Sequence, residues 1–213
     1  TSITANITTG SGSDVLSLSA GSSVTGDVTL GSVGDNQAII DFANSISDSF
    51  NSATGWSGGT VDSTNSYYGS FLGRYAAGTK TNGQDVYKSF SLSNSPATIS
   101  FDFIRLDSWD GESFKAYVND TEAFSRSFTG GGISSGSGTT NGFTWTIAPK
   151  DSLAGHGFAG WSDQTATITI TLPAGYTNFN KLGFGSTLDQ GIDDESYGID
   201  NLTIIPTIVS HDD

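Results

Sequence analysis

Thr165-Ala166-Thr167-Ile168-Thr169-Ile170-Thr171-Leu172 alternates without a fault. Ala166, Ile168, Ile170 and Leu172 fall on one side of an extended chain and the four threonines on the other, so the segment reads as a β-strand with one buried face and one wet face. Working outward, the same alternation and the enrichment in Phe, Tyr, Val, Ile and Thr predict strands over 39–43, 70–76, 84–92, 97–106, 112–119, 122–128, 142–147, 165–172, 179–186 and 197–205. Such a series implies two packed sheets, and the fold class is all-β: a two-sheet antiparallel sandwich.

Composition agrees with that class. The 213 residues include 28 Gly but only 14% charged side chains, which suits short strands joined by tight turns rather than helices with Glu- and Lys-rich surfaces. With 13 Phe, 7 Tyr and 4 Trp, a bulky core is available. The net charge of −14 argues against nucleic acid and anionic membrane surfaces, both of which require a basic face. No apolar run is long enough to cross a membrane as a helix. There is no Cys, hence no disulfide, thiol nucleophile or thiolate metal site.

Residues 1–38 differ in texture. The stretch 6–14 aligns with 27–35 at an offset of 21, pairing Ile7 with Val28, Gly10 with Gly31 and Asp14 with Asp35. TGSGSDVLS at 9–17 is close to the glycine- and aspartate-rich nonapeptide of calcium-binding parallel β-rolls. The expected organisation is a solenoid-like or linker segment over 1–38, a calcium-binding β-sandwich over 39–207 and a tail over 208–213. The opening at Thr1, without a start Met, reads as a processed form or an excised piece of something larger.

Carboxylates supply the functional signal. Of 22 acidic residues only three are Glu, and the shorter Asp suits turns and loop-borne calcium sites. Asp189, Asp193, Asp194, Glu195 and Asp200 fall within one short span that has no Lys or Arg. Asp107, Asp110 and Glu112 form a second group. Crowded carboxylates repel one another, and a divalent cation removes the repulsion. Ca2+ takes six to eight oxygen ligands, so these eight acids are the candidate metal ligands, assembled from separate loops rather than from an EF-hand. Asp110 and Glu112 share one face if extended, with Trp109 turned away into packing. Loops 51–69 and 148–164 carry Trp56, Asn65, Tyr67, Tyr68 and Trp161, the candidate ligand-binding residues, because recognition in a sandwich lies on its loops. The Gly/Ser-rich stretch 129–141 reads as a mobile surface loop.

FDFIRLDSWDGESFKAYVND at 101–120 and LGFGSTLDQGIDDESYGIDNLTI at 182–204 resemble a jelly-roll, concanavalin-like sandwich module of large secreted bacterial repeat proteins and adhesins, over roughly residues 40–205. The resemblance implies calcium that is structural or bridges to sugar hydroxyls, and a lectin-like binding role at the cell surface. The leading expectation is therefore a calcium-dependent carbohydrate- or surface-binding module of a secreted bacterial adhesin, recognising an extracellular polysaccharide or cell-surface glycan. A calcium-stiffened spacer or assembly unit capable of self-association is the alternative. A polysaccharide-degrading enzyme is a third reading, disfavoured because its carboxylates sit among many others and would stay ionised around a cation.

Overall fold

The computed structural model describes residues 2–4, 7–8, 23–25, 28–29, 46–92, 96–156, 158 and 161–206. In chain order the strands are β1 (Ser2–Thr4), β2 (Ile7–Thr8), β3 (Ser23–Thr25), β4 (Val28–Thr29), β5 (Ile46–Asp48), β6 (Trp56–Ser57), β7 (Val61–Asp62), β8 (Phe71–Tyr75) and β9 (Val86–Ser89). They continue as β10 (Pro96–Asp107), β11 (Ser113–Val118), β12 (Thr121–Ser127), β13 (Gly136–Thr140), β14 (Phe143–Pro149), β15 (Gln164–Thr171), β16 (Lys181–Ser186) and β17 (Glu195–Pro206). No helix occurs among the described residues. The strand expected at 39–43 and the tail at 208–213 lie outside them.

Two antiparallel sheets form the sandwich. The larger runs β13-β14-β15-β10-β17-β8-β7, with β5 also on β17, and the smaller runs β12-β11-β16-β9-β6. Between them Phe101, Phe103, Phe114, Phe124, Phe184, Trp109 and Tyr197 pack in one core, with Phe103 stacked on Phe114 at 4.3 Å between ring centroids. The alternation read from 165–172 holds: Ala166, Ile168, Ile170 and Leu172 are all buried in that core.

The central strand β10 departs from simple alternation near its end. Ile99, Phe101 and Phe103 enter the core, whereas Ile104 and Leu106 form a second, outer cluster with Phe71, covered by Tyr68 and Phe158. Loops therefore roof the outer face of the large sheet at this end. Close packing there requires Gly198: a Cβ on it would lie 2.3 Å from the Phe71 ring. Replacing Gly198 by Ala should cost about 1–3 kcal/mol through overpacking, lowering Tm by roughly 2–12 °C, as differential scanning calorimetry would read.

Two expectations need correction. The Gly/Ser stretch is not wholly loop, because Gly136–Thr140 pairs with β14 as a hairpin edge strand. Its turn is Asn141-Gly142, both at positive φ (48° and 88°), the chemistry that a two-residue hairpin demands. The Trp145 ring covers Gly138, where a Cβ would lie 2.4 Å from it, so an aromatic side chain replaces the packing that glycine lacks. Trp56, expected on a recognition loop, is 6% exposed and stacks on Phe184; it is a core residue.

The N-terminal pairs carry the solenoid signature. β1 pairs with β3 in parallel, Ser2 with Ser23, and β2 pairs with β4 in parallel, Ile7 with Val28. Both registers equal the 21-residue offset of the sequence, the relation between successive rungs of a β-solenoid. The glycine-rich nonapeptide at 9–17 lies outside the described residues.

Candidate metal centre and outer-face groove

The ends of β10 and β17 meet, with Asp107 opposite Glu195 and Leu106 opposite Ser196. Trp109, fully buried, locks this junction: its indole N–H donates to the carbonyls of Leu106 (3.1 Å) and Ser196 (3.0 Å). Ser108 ties the two acidic loops directly, its N–H donating to the Asp194 carbonyl at 2.9 Å and its hydroxyl to the Asp194 carboxylate at 2.7 Å. Residues far apart in sequence are thus held side by side by backbone pairing and one aromatic anchor.

At the junction Asp110, Glu112 and Glu195 each present a carboxylate oxygen within 4.8 Å of the others. Glu112 Oε2 accepts the N–H groups of Asp110 (2.8 Å) and Gly111 (3.1 Å), which fold the loop around the carboxylate. Glu195 is the decisive member. It is 0% exposed, and no N–H or hydroxyl donor among the described residues reaches either of its oxygens, which meet the Glu112 carboxylate instead. Burial, with Glu112, Asp110 and Asp189 nearby, raises its pKa from 4.5 to about 7. Asp110 is also raised, by its hydrogen bond with Glu112 and by that group's charge. For Glu112 burial pushes upward, yet backbone N–H donors together with hydrogen bonds from the Asp110 and Glu195 carboxyls outweigh it and its pKa falls. Such a cluster has surplus acceptor oxygen and lacks positive charge, which is what a hard cation requires.

The remaining candidate ligands go elsewhere. Asp189 is exposed and adds its charge to Glu195 and Asp110. Asp193 faces Arg74 at 3.5 Å with its side chain 85% exposed. Asp194 is engaged with Ser108. Asp107, at a left-handed φ of 68°, feels the charges of Asp163 and Arg74 most strongly rather than that of Glu112. Asp200 belongs to a different feature altogether. It pairs across β10–β17 with Asp102, on the outer face of the sheet.

There a groove of about 290 Å³ is lined by Tyr67, Tyr68, Asp102, Lys150, Asp151 and Asp200, among others. Asp102 is the buried anchor, accepting from Lys150 Nζ (2.6 Å), Thr167 Oγ1 (2.8 Å) and Asn201 Nδ2 (2.8 Å). Tyr67 is 54% exposed and stacks on His156 with centroids 3.9 Å apart. Asn65, a candidate ligand, has a structural task instead. Its Nδ2 donates to the His156 carbonyl at 2.8 Å and its Oδ1 accepts from the N–H groups of Tyr67 and Tyr68. Trp161 is 59% exposed and does not line the groove. Sequence reasoning missed Asp102, Lys150 and Asp151. The available signal was the run Phe103-Ile104-Arg105-Leu106, whose loss of alternation marks a strand covered on both faces.

Comparison with family models, with curated proteins and with solved structures gave no match.

Proposed function

We propose that this chain is a calcium-binding β-sandwich module that recognises a carbohydrate outside the cell. The observation that carries the reading is Glu195, a fully buried carboxylate that no N–H or hydroxyl donor among the described residues reaches, set against Asp110 and Glu112. An isolated buried carboxylate is costly, and a calcium ion bridging the three acids converts that cost into a staple between the β10–β11 and β16–β17 loops. Oxygen-only donors on turns favour Ca2+ over softer metals. The groove supports the recognition half: an exposed tyrosine ring beside hydrogen-bonding Asp, Asn and Lys groups suits the apolar face and hydroxyls of a sugar.

Binding to a polysaccharide array should vanish in chelator and return with calcium. Replacing Tyr67 by Ala should weaken that binding roughly tenfold or more while leaving Tm nearly unchanged, since the ring is exposed. Undiminished array binding in chelator would remove the calcium dependence. The parallel pairing of β1 with β3 and β2 with β4 favours a second reading, a calcium-stiffened assembly unit. That reading predicts a calcium-dependent rise in Tm together with concentration-dependent self-association and no glycan bound.

A further inference from the structure

Asp107 poses the same problem as Glu195 in a different place. It is 0% exposed, and neither carboxylate oxygen has a hydrogen-bond partner among the described residues. Two arginines are close enough to feel it, yet none of their N–H groups donates to its carboxylate, and the buried Arg105 Nε–H is itself without a partner among the described residues. Arg105 donates through Nη1 to the Thr129 carbonyl and through Nη2 to the carbonyls of Asp107 and Ser162. Arg74 donates to Ser196 Oγ, the Ile192 carbonyl and the Asp193 carboxylate, and lies over the Phe158 ring.

Asp163 stands beside Asp107 and is itself 0% exposed. Its Oδ1 accepts the Asp107 N–H at 3.0 Å and its Oδ2 the His156 N–H at 3.1 Å, so each oxygen keeps a lone pair for another partner. Asp193 and Asp194 add their charges to the field at Asp107. With all four carboxylates ionised, the two guanidiniums leave two negative charges, which one divalent ion would neutralise.

We propose that Asp107 and Asp163 form a second calcium site, with Asp107 as its principal carboxylate and Asp163 as the second ligand. All the donors are oxygen, as for the first site, and water completes the shell. The ion would clamp Asp163, and with it the His156 backbone that Asp163 holds, to the end of β10. Asp163 holds the backbone of His156, whose ring stacks on Tyr67, so this second ion reaches the wall of the outer groove while the Glu195 ion does not. The two sites rest on different carboxylates and can fail separately.

Native mass spectrometry of the full chain, stripped with chelator and resupplied with calcium chloride, tests the assignment by counting ions. Two are expected in the wild type, one in Asp107→Asn and one in Glu195→Gln. Saturation of the wild type at a single ion that Asp107→Asn retains and Glu195→Gln loses would overturn the second site and leave the first standing. Should Asp107→Asn fail to fold, Glu195→Gln decides, with and without Asp163→Asn added. An ion that persists in Glu195→Gln and that added Asp163→Asn removes supports the second site; an ion-free Glu195→Gln, or one that keeps its ion when Asp163→Asn is added, overturns it.

Discussion

Replacing Trp109 by Ala is expected to cost about 3–5 kcal/mol from the lost packing and the cavity left behind. It should also take calcium binding with it. Trp109 is fully buried, edge-on to both Phe103 and Phe128, and its single N–H bridges carbonyls on the two strands that carry the acidic loops. For a chain of this size such a loss corresponds to a fall in Tm of roughly 6–20 °C. Trp109→Phe separates the two roles. The ring remains in the core, the donor disappears, and a smaller cost of about 1–3 kcal/mol follows from the carbonyls left without it. Calcium affinity should fall in both variants, because Asp110 and Glu112 follow Trp109 in the chain and lose their fixed position. Calcium titration monitored by Tm would read both effects; Trp109→Ala with unchanged calcium response would show that the loop is anchored by something else.

Glu195→Gln should act in opposite directions with and without calcium. Its carboxyl has a folded pKa of about 7 against an ordinary 4.5, so between those values the ion-free folded protein holds a proton that the unfolded chain has released. The contribution to stability is therefore fully present below about pH 4.5 and is lost as pH rises through about 7. Asp107, raised from 3.8 to about 7 by burial and by Asp163, adds a loss of the same sign. At pH 8 the ionised, buried Glu195 costs the ion-free fold up to about 3 kcal/mol, which the neutral amide avoids. Ion-free Glu195→Gln should then melt above ion-free wild type at pH 8 and close to it at pH 4.5. Calcium at a hundredfold excess over its Kd should stabilise the wild type by about 2.7 kcal/mol, and the variant should lose this site's share of that gain. A Glu195→Gln protein that melts below the wild type in chelator at pH 8 would mean that the carboxylate is satisfied by contacts other than an ion.

Much of this architecture can be read from residue order, because alternation is a local property. The strands around Phe101, Phe114, Ile168 and Phe184 each have a core face that identifies itself. The 21-residue offset likewise emerges as parallel pairing of Ile7 with Val28. Strand β13 was hidden because its signal is in its partner: Gly136 and Gly138 have no side chain to alternate, and Trp145 across the hairpin supplies the packing. The three-carboxylate site was visible as clusters of acid, but clustering along the chain does not decide which face an acid takes. Glu195 begins the register that sends Tyr197 and Ile199 inward, whereas Asp200 lies outward beside Asp102. Asp163 was silent because nothing near it in sequence repeats its charge; only folding brings it against Asp107.

Asp110, Glu112 and Glu195 are expected to share one cation. A crystal structure of the chain grown in millimolar calcium, with anomalous data collected at long wavelength, would locate it. The expected result is a calcium peak about 2.3–2.6 Å from oxygens of all three carboxylates. Well-ordered carboxylates at this junction with only water between them, under calcium that saturates the protein elsewhere, would contradict it.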